Sequence, residues 1–318
     1  MIESNRENIH LISKHSNLSE KEINTALQKF VYADKPNWTR FLQFFFISLG
    51  IGFATAGIIF FFAYNWADLH KFAKLGLTQG LLIMTIVSAF IFKKNILVRN
   101  VVLTAASILV GVLFAVFGQI YQTGANAYDF FLGWSVFITV WVIVSNFAPL
   151  WFIFIALINV TLCMFADQVA FYWSDNFLFT MLFILNAVIM MLFALLSKMQ
   201  STIAVPNWFL NCLVFAVASI ASIGNINNVF ENDQTHIFPV LFLLTAAVYA
   251  LVALYSLKHK IISYIAIMAF SVISIISALI IKVADDFGML LVVSLFIVIS
   301  VTVVIKALLS LQNKWSNE

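Results

Sequence analysis

The chain has 318 residues, of which 63% are hydrophobic and only 10% charged, with 34 Phe, 8 Trp and a formal net charge of +3. A mean hydropathy of +1.02 excludes an ordinary soluble domain. The lysines and arginines are spread between apolar blocks with no basic stripe of interleaved aromatics, which excludes a nucleic-acid surface.

Residues 1–40 are polar and charged and lack the apolar core of a signal peptide, so the first span is expected to be retained. Ser4 with Glu7 and Ser19 with Glu22 fit the S-x-x-E capping box, in which a hydroxyl and a carboxylate satisfy the open amides of a helix start. The second box opens a helix in which Ile23, Leu27 and Phe30 share a face. A short cytoplasmic helical head is expected here, too small to be stable without the bundle or a partner.

From Phe41 onward the chain reads as ten apolar blocks, at about 41–63, 72–92, 100–117, 130–147, 149–166, 177–197, 208–223, 237–257, 261–281 and 288–309. Most approach the roughly 20 residues that a helix needs to cross about 30 Å of hydrocarbon. The expected fold class is therefore all-α, a polytopic helical membrane protein. Its expected divisions are a head at 1–40, a transmembrane bundle at 41–309 and a cytoplasmic tail at 310–318. Between the fourth and fifth blocks only Ser145, Asn146 and Pro149 mark a turn.

With the N-terminus inside, the cytoplasmic loops receive Lys93, Lys94, Arg99, Lys198, Lys258 and Lys260. The other side receives Asp129, Asp167, Asp175, Glu231, Asp233, Asp285 and Asp286. That asymmetry fits an N-in, C-in protein with an even number of spans. Lys71, Lys74 and Lys282 are the exceptions, beside acidic residues or at helix ends from which a long side chain can snorkel.

Two polar runs stand out. Tyr64–Lys74 holds Asn65, Trp66, Asp68, His70 and Lys74, and reads either as an interfacial girdle or as a mouth that recognises an ion, headgroup or solute. Gly118–Trp134 holds Gln119, Tyr121, Gln122, Asn126, Tyr128 and Asp129, more hydrogen-bonding groups than a minimal connector needs. Asn159 and Asn186 lie inside spans, where an amide is usually an interhelical hydrogen bond. Asp167 closes the fifth span, and drawn into hydrocarbon it would require a partner. The outer connection 224–236 reads as a solvated hairpin and lacks the EF-hand frame.

No HExxH, GxSxG, Walker lysine loop or dinucleotide glycine fingerprint occurs, so no catalytic residue, cofactor or metal ligand is assigned and enzymatic activity is not expected. Cys163 and Cys212 have neither CxxC spacing nor an adjacent histidine, which argues against zinc, a disulfide or a catalytic thiolate.

The runs GIIFFFAYNWADLHKFAKLGL (57–77) and GVLFAVFGQIYQTGANAYDFFLGW (111–134) resemble DUF2157, a family of uncharacterised prokaryotic membrane proteins, over roughly residues 10–160. The resemblance rests on Asn65, Trp66, Lys74, Gln119, Ile120, Tyr121 and Trp134 and implies a multi-pass protein of the prokaryotic inner membrane, without an assigned activity. Together these features lead to an expectation of solute or lipid transport. The candidate cluster is Asn65, Trp66, Asp68, Lys74, Gln119, Tyr121, Gln122, Asn126, Asp129 and Asp167. The expected partners are membrane lipid and a small solute or lipid substrate. The alternative is a scaffold or envelope sensor that contacts a cytoplasmic protein through residues 1–40.

Overall fold

The structure, a computed structural model, describes residues 19–30, 35–65, 68–121, 124, 126–198, 205–231, 238–283 and 289–317. All regular structure among these residues is helical, in eleven helices. They are α1 (Glu20–Phe30), α2 (Lys35–Asn65), α3 (Lys71–Ile91), α4 (Ile96–Tyr121), α5 (Ala127–Ser145), α6 (Ala148–Gln168), α7 (Asp175–Lys198), α8 (Asn207–Phe230), α9 (Phe238–His259), α10 (Ile262–Val283) and α11 (Met289–Asn317). Ten of them, α2 to α11, are long and apolar enough to cross a membrane. They correspond one for one to the ten expected spans, and the chain is a polytopic helical membrane protein.

Local chemistry sets the helix ends. Before α1, Ser19 donates from both its backbone N–H and its hydroxyl to Glu22 Oε2 at 2.8 and 2.9 Å, while the Glu22 N–H donates back to Ser19 Oγ at 3.4 Å. This is the reciprocal capping box its sequence predicts. The hydrogen bonds from Ser19 hold the Glu22 carboxyl below the usual carboxylate range. The Ser4–Glu7 box lies outside the described residues. The doubtful joint between the fourth and fifth spans is a genuine turn: Asn146 adopts the left-handed conformation (φ 47°, ψ 46°) that ends α5, and a proline opens the first turn of α6.

The chain divides into two compact units, residues 1–74 and 75–318. In the first, the exposed face of α2 carries ring contacts at helical spacing, Trp38 to Phe41 at 5.7 Å and Phe41 to Phe45 at 6.3 Å. The second unit has two cores. One joins α4, α5 and α6 through Val110, Ile138, Val142, Leu150 and Leu157. The larger one gathers α6 to α10 around α8 and includes Phe183, Phe209, Leu213, Ala221 and Leu241. Helix α8 is the central element, since half of its most apolar window is buried, against 6% for α11.

Small residues allow this depth of packing. Gly224 on α8 leaves room for Leu241 and Phe179, which a methyl group there would meet at 2.7 and 2.8 Å. Polar side chains bond across the same contacts: Ser271 lies 2.6 Å from both Ser222 Oγ and the Tyr249 hydroxyl, which ties α10 to α8 and α9. Asn159 and Asn186 exchange side-chain hydrogen bonds at 3.2 and 2.6 Å across α6 and α7. That pairing bears out their reading as packing amides.

The helices run past several expected boundaries. Residues 224–230, read as a solvated connection, form the last two turns of α8, and Asn225 and Asn228 there are buried. Hydropathy misses them because an asparagine counts as polar wherever its amide goes. Asn225 Nδ2 donates to Ala221 O at 2.8 Å and to Thr245 Oγ1 at 3.1 Å, so this amide sits inside a helix contact. Gln119 to Tyr121 likewise belong to the last turn of α4 rather than to a loop.

Candidate functional site

The first polar run lies in the unit 1–74. Asn65 ends α2, but its side chain and the whole of Trp66 lie outside the described residues. Asp68 is exposed in the turn that follows, and Lys74 is half-buried in the first turn of α3. The His70 ring lies 5.4 Å from that of Phe72, and Lys71 Nζ sits 5.5 Å from the same phenyl ring. Such aromatic and cationic stacking suits a headgroup interface.

The second run, in the unit 75–318, joins α4 to α5. Gln119, Tyr121, Asn126 and Asp129 are exposed there, and Gln122 is outside the described residues. The Tyr121 ring stacks on Phe117 at 4.6 Å. Asn126 is the N-cap of α5, and its side chain makes no cap hydrogen bond. Asp129 in the first turn complements the helix dipole. Gly124 has φ +63°, a left-handed conformation that suits glycine. This end of α5 is tied to the end of α6, where Gln168 Oε1 accepts the Tyr128 N–H at 3.1 Å, while the neighbouring Asp167 is exposed. The described polar residues of the run thus form an exposed edge. No group of three or more histidines, cysteines or acidic residues that could hold a metal occurs among the described residues, and both cysteines are free.

Sequence reasoning missed a cleft at the other end of the larger unit. Because successive helices alternate in direction, Lys93, Lys94, Arg99, Lys198, Lys258 and Lys260 collect at one end, here called the basic end. There α7, α8, α9 and α10 line a partly open cavity of about 260 Å³ walled by Met190, Met191, Leu210, Val214, Leu251 and Val252. Lys198 stands among its lining residues, with Nζ 4.3 Å from the centre of the Tyr255 ring. Tyr255 in turn stacks on Tyr264 at 6.5 Å and on His259 at 4.6 Å. From Lys198 to Met190 the wall extends eight residues along α7, roughly 12 Å into the bundle.

Between the lining residues Tyr255 and Tyr264 runs the sharp α9–α10 turn. Lys260 takes φ 56°, the Ile261 N–H returns to Ser256 O at 3.0 Å, and the buried Ser256 hydroxyl donates to Ile261 O. Lys258 and His259 fall in the last turn of α9, where cations suit the helix dipole. The cleft thus offers an apolar slot with a cationic, aromatic rim.

A contact in the smaller core links the two ends of the run 111–134. Gly111 on α4 lies flat against Trp134 on α5, and the indole N–H donates to Ser107 O at 2.7 Å. Residues 17–151 match the DUF2157 family, described as a predicted membrane protein. No curated protein and no solved structure matches the chain. The DUF2157 match bears out the resemblance and stops four residues into α6, so α7 to α10, which form the basic-end cleft, lie outside it. Within the DUF2157 stretch, Trp134 has a clear packing role, and its indole is satisfied by the backbone of α4.

Proposed function

We propose that this membrane protein binds and moves an amphiphile with an anionic headgroup, drawn laterally from the bilayer into the α7–α10 cleft. The reading is carried by one juxtaposition, a cavity of about 260 Å³ with an apolar wall and the Lys198 ammonium at its rim. That volume lies just below the range of drug-sized ligand pockets, about 300–1,000 Å³, and suits one acyl segment better than a bulky solute. Lipid tails are already in an apolar medium, so the wall supplies fit rather than a hydrophobic driving force. Selectivity must therefore come from charge. A lysine near an anionic surface contributes about 1 kcal/mol, a preference of about five-fold over a zwitterionic headgroup.

Proteoliposomes carrying a fluorescent acidic phospholipid test the transport step. Faster loss of inner-leaflet label than in empty vesicles, slowed by Ala194→Trp in the cleft wall, is the expected result. Flux equal to empty vesicles for acidic and zwitterionic lipids alike contradicts it. In this reading the basic end faces the cytoplasm of a prokaryotic cell across its inner membrane, with both termini inside.

A second reading, a scaffold or sensor acting through residues 1–40, is favoured by one observation, the fully formed capping box of α1. It expects a cytoplasmic protein to co-purify with the full chain and to be lost on deletion of residues 1–40. Unchanged co-purification after that deletion counts against it.

A further inference from the structure

Toward the end of α8 opposite the basic end, several buried polar atoms have no partner among the described residues. Asn176, 1% exposed, and Asn228, 4% exposed, are among the most buried polar residues of the described chain. Asn176 Oδ1, both side-chain atoms of Asn228 and Glu231 Oε2 are buried and have no hydrogen-bond partner among the described residues. The helix register brings the two asparagines together. Gly224 packs directly on Phe179, α7 and α8 are antiparallel, and one turn further out along each helix stand Asn228 and Asn176. Glu231, three residues after Asn228, is the C-cap of α8.

Buried amides and carboxylates left unpaired cost on the order of 1–3 kcal/mol each, and more when charged. A native fold does not gather several of them in one place without something to satisfy them. The atoms specify what that is. Three are acceptors, Asn176 Oδ1, Asn228 Oδ1 and Glu231 Oε2, against one donor group, Asn228 Nδ2. Exchanging O and N in Asn228 changes nothing, since both atoms are unpaired. The set is therefore short of positive charge.

The C-terminal end of α8 adds its own negative pole, while the positive pole at the start of α7 is offset by Asp175 in the first turn. One carboxylate balances one unit charge. A divalent ion would keep a net charge in a buried site and would seek six to eight oxygens. We propose that Asn176, Asn228 and Glu231 form a binding site for a monovalent alkali cation at the α7–α8 contact.

The site is independent of the lipid cleft, which lies at the opposite end of the same helices. Lys282 reaches the level of Glu231 on the neighbouring α10, as the Ser222–Ser271 and Asn211–Ser263 hydrogen bonds fix the register of those parallel helices. A cation at that level is a rival for the same oxygens that the test has to separate from a bound ion.

The test uses the full-length protein in nanodiscs and follows thermal unfolding in lithium, sodium, potassium or choline chloride at constant ionic strength. One alkali cation is expected to raise Tm saturably over choline, by several degrees at saturation. Asn228→Leu and Glu231→Gln should abolish that rise, and Asn228→Asp, which adds a charge at constant size, should lower the half-saturating concentration several-fold. Lys282→Met should leave the rise intact or enlarge it, and Lys198→Gln at the lipid cleft should not alter it. Identical Tm in all four salts overturns the site and leaves these polar atoms to water or to Lys282. A rise that survives both Asn228→Leu and Glu231→Gln overturns it as well.

Discussion

Single residues carry sharp constraints where backbones approach closely. A methyl group at Gly111 would lie 2.5 Å from the Trp134 ring, so Gly111→Ala should cost about 1–3 kcal/mol as the α4–α5 contact opens. Trp134→Phe, which keeps most of the ring but loses the hydrogen bond to Ser107 O, should cost about 0.5–1.5 kcal/mol. Denaturant unfolding of the two variants in mixed micelles measures both, and Gly111→Ala is expected to be no milder than Trp134→Phe. The Asn159–Asn186 pair makes a different prediction. A double-mutant cycle with Ala at both positions should return a coupling of about 0.6–2 kcal/mol. Because these amides bond to each other, a cysteine at either position should resist membrane-impermeant thiol reagents, whereas cysteines at the exposed Asn126 and Asp129 should label. Labelling at Asn159 would instead reveal an aqueous path through the bundle.

At the level of elements, α1 and α8 show what can and cannot be read from residue types. The box at Ser19 and Glu22 was legible because capping is local, decided by two side chains three residues apart. Its pH response follows directly. The Glu22 carboxyl sits below the usual range when α1 is folded, so its contribution to α1 is complete above the unfolded carboxylate pKa and is lost as pH falls through the depressed value. Protection of the α1 amides, taken relative to the intrinsic exchange rate at each pH, should fall on acidification through that window in the wild type and show no such step in Glu22→Gln. Helix α8 was only half legible. Its apolar part is plain from hydropathy, but Asn225, Asn227 and Asn228 made its last turns resemble a loop. The bonds from Asn225 to Ala221 and Thr245 depend on α9, which no local pattern announces. The cleft escaped notice for the same reason, since Met190, Leu210, Leu251 and Tyr264 come from four helices and each looks like ordinary span filler.

At the scale of the whole molecule, ten spans were readable because a 30 Å slab imposes one length on every crossing. Polar residues at the span ends were readable as well, but not their use. Gln119, Tyr121, Asn126, Asp129 and Asp167 are exposed at the ends of their helices. A partly open cleft lies at the basic end, where the apolar wall and the Lys198 ammonium together suit a lipid. The most direct test is native mass spectrometry of the full-length protein released from nanodiscs with equal amounts of phosphatidylglycerol and phosphatidylcholine. Retention of phosphatidylglycerol over phosphatidylcholine by about five-fold, falling toward parity in Lys198→Gln, is the predicted result. Equal retention of the two lipids by the wild type, or a preference untouched by Lys198→Gln, would contradict the assignment of this cleft to an anionic amphiphile.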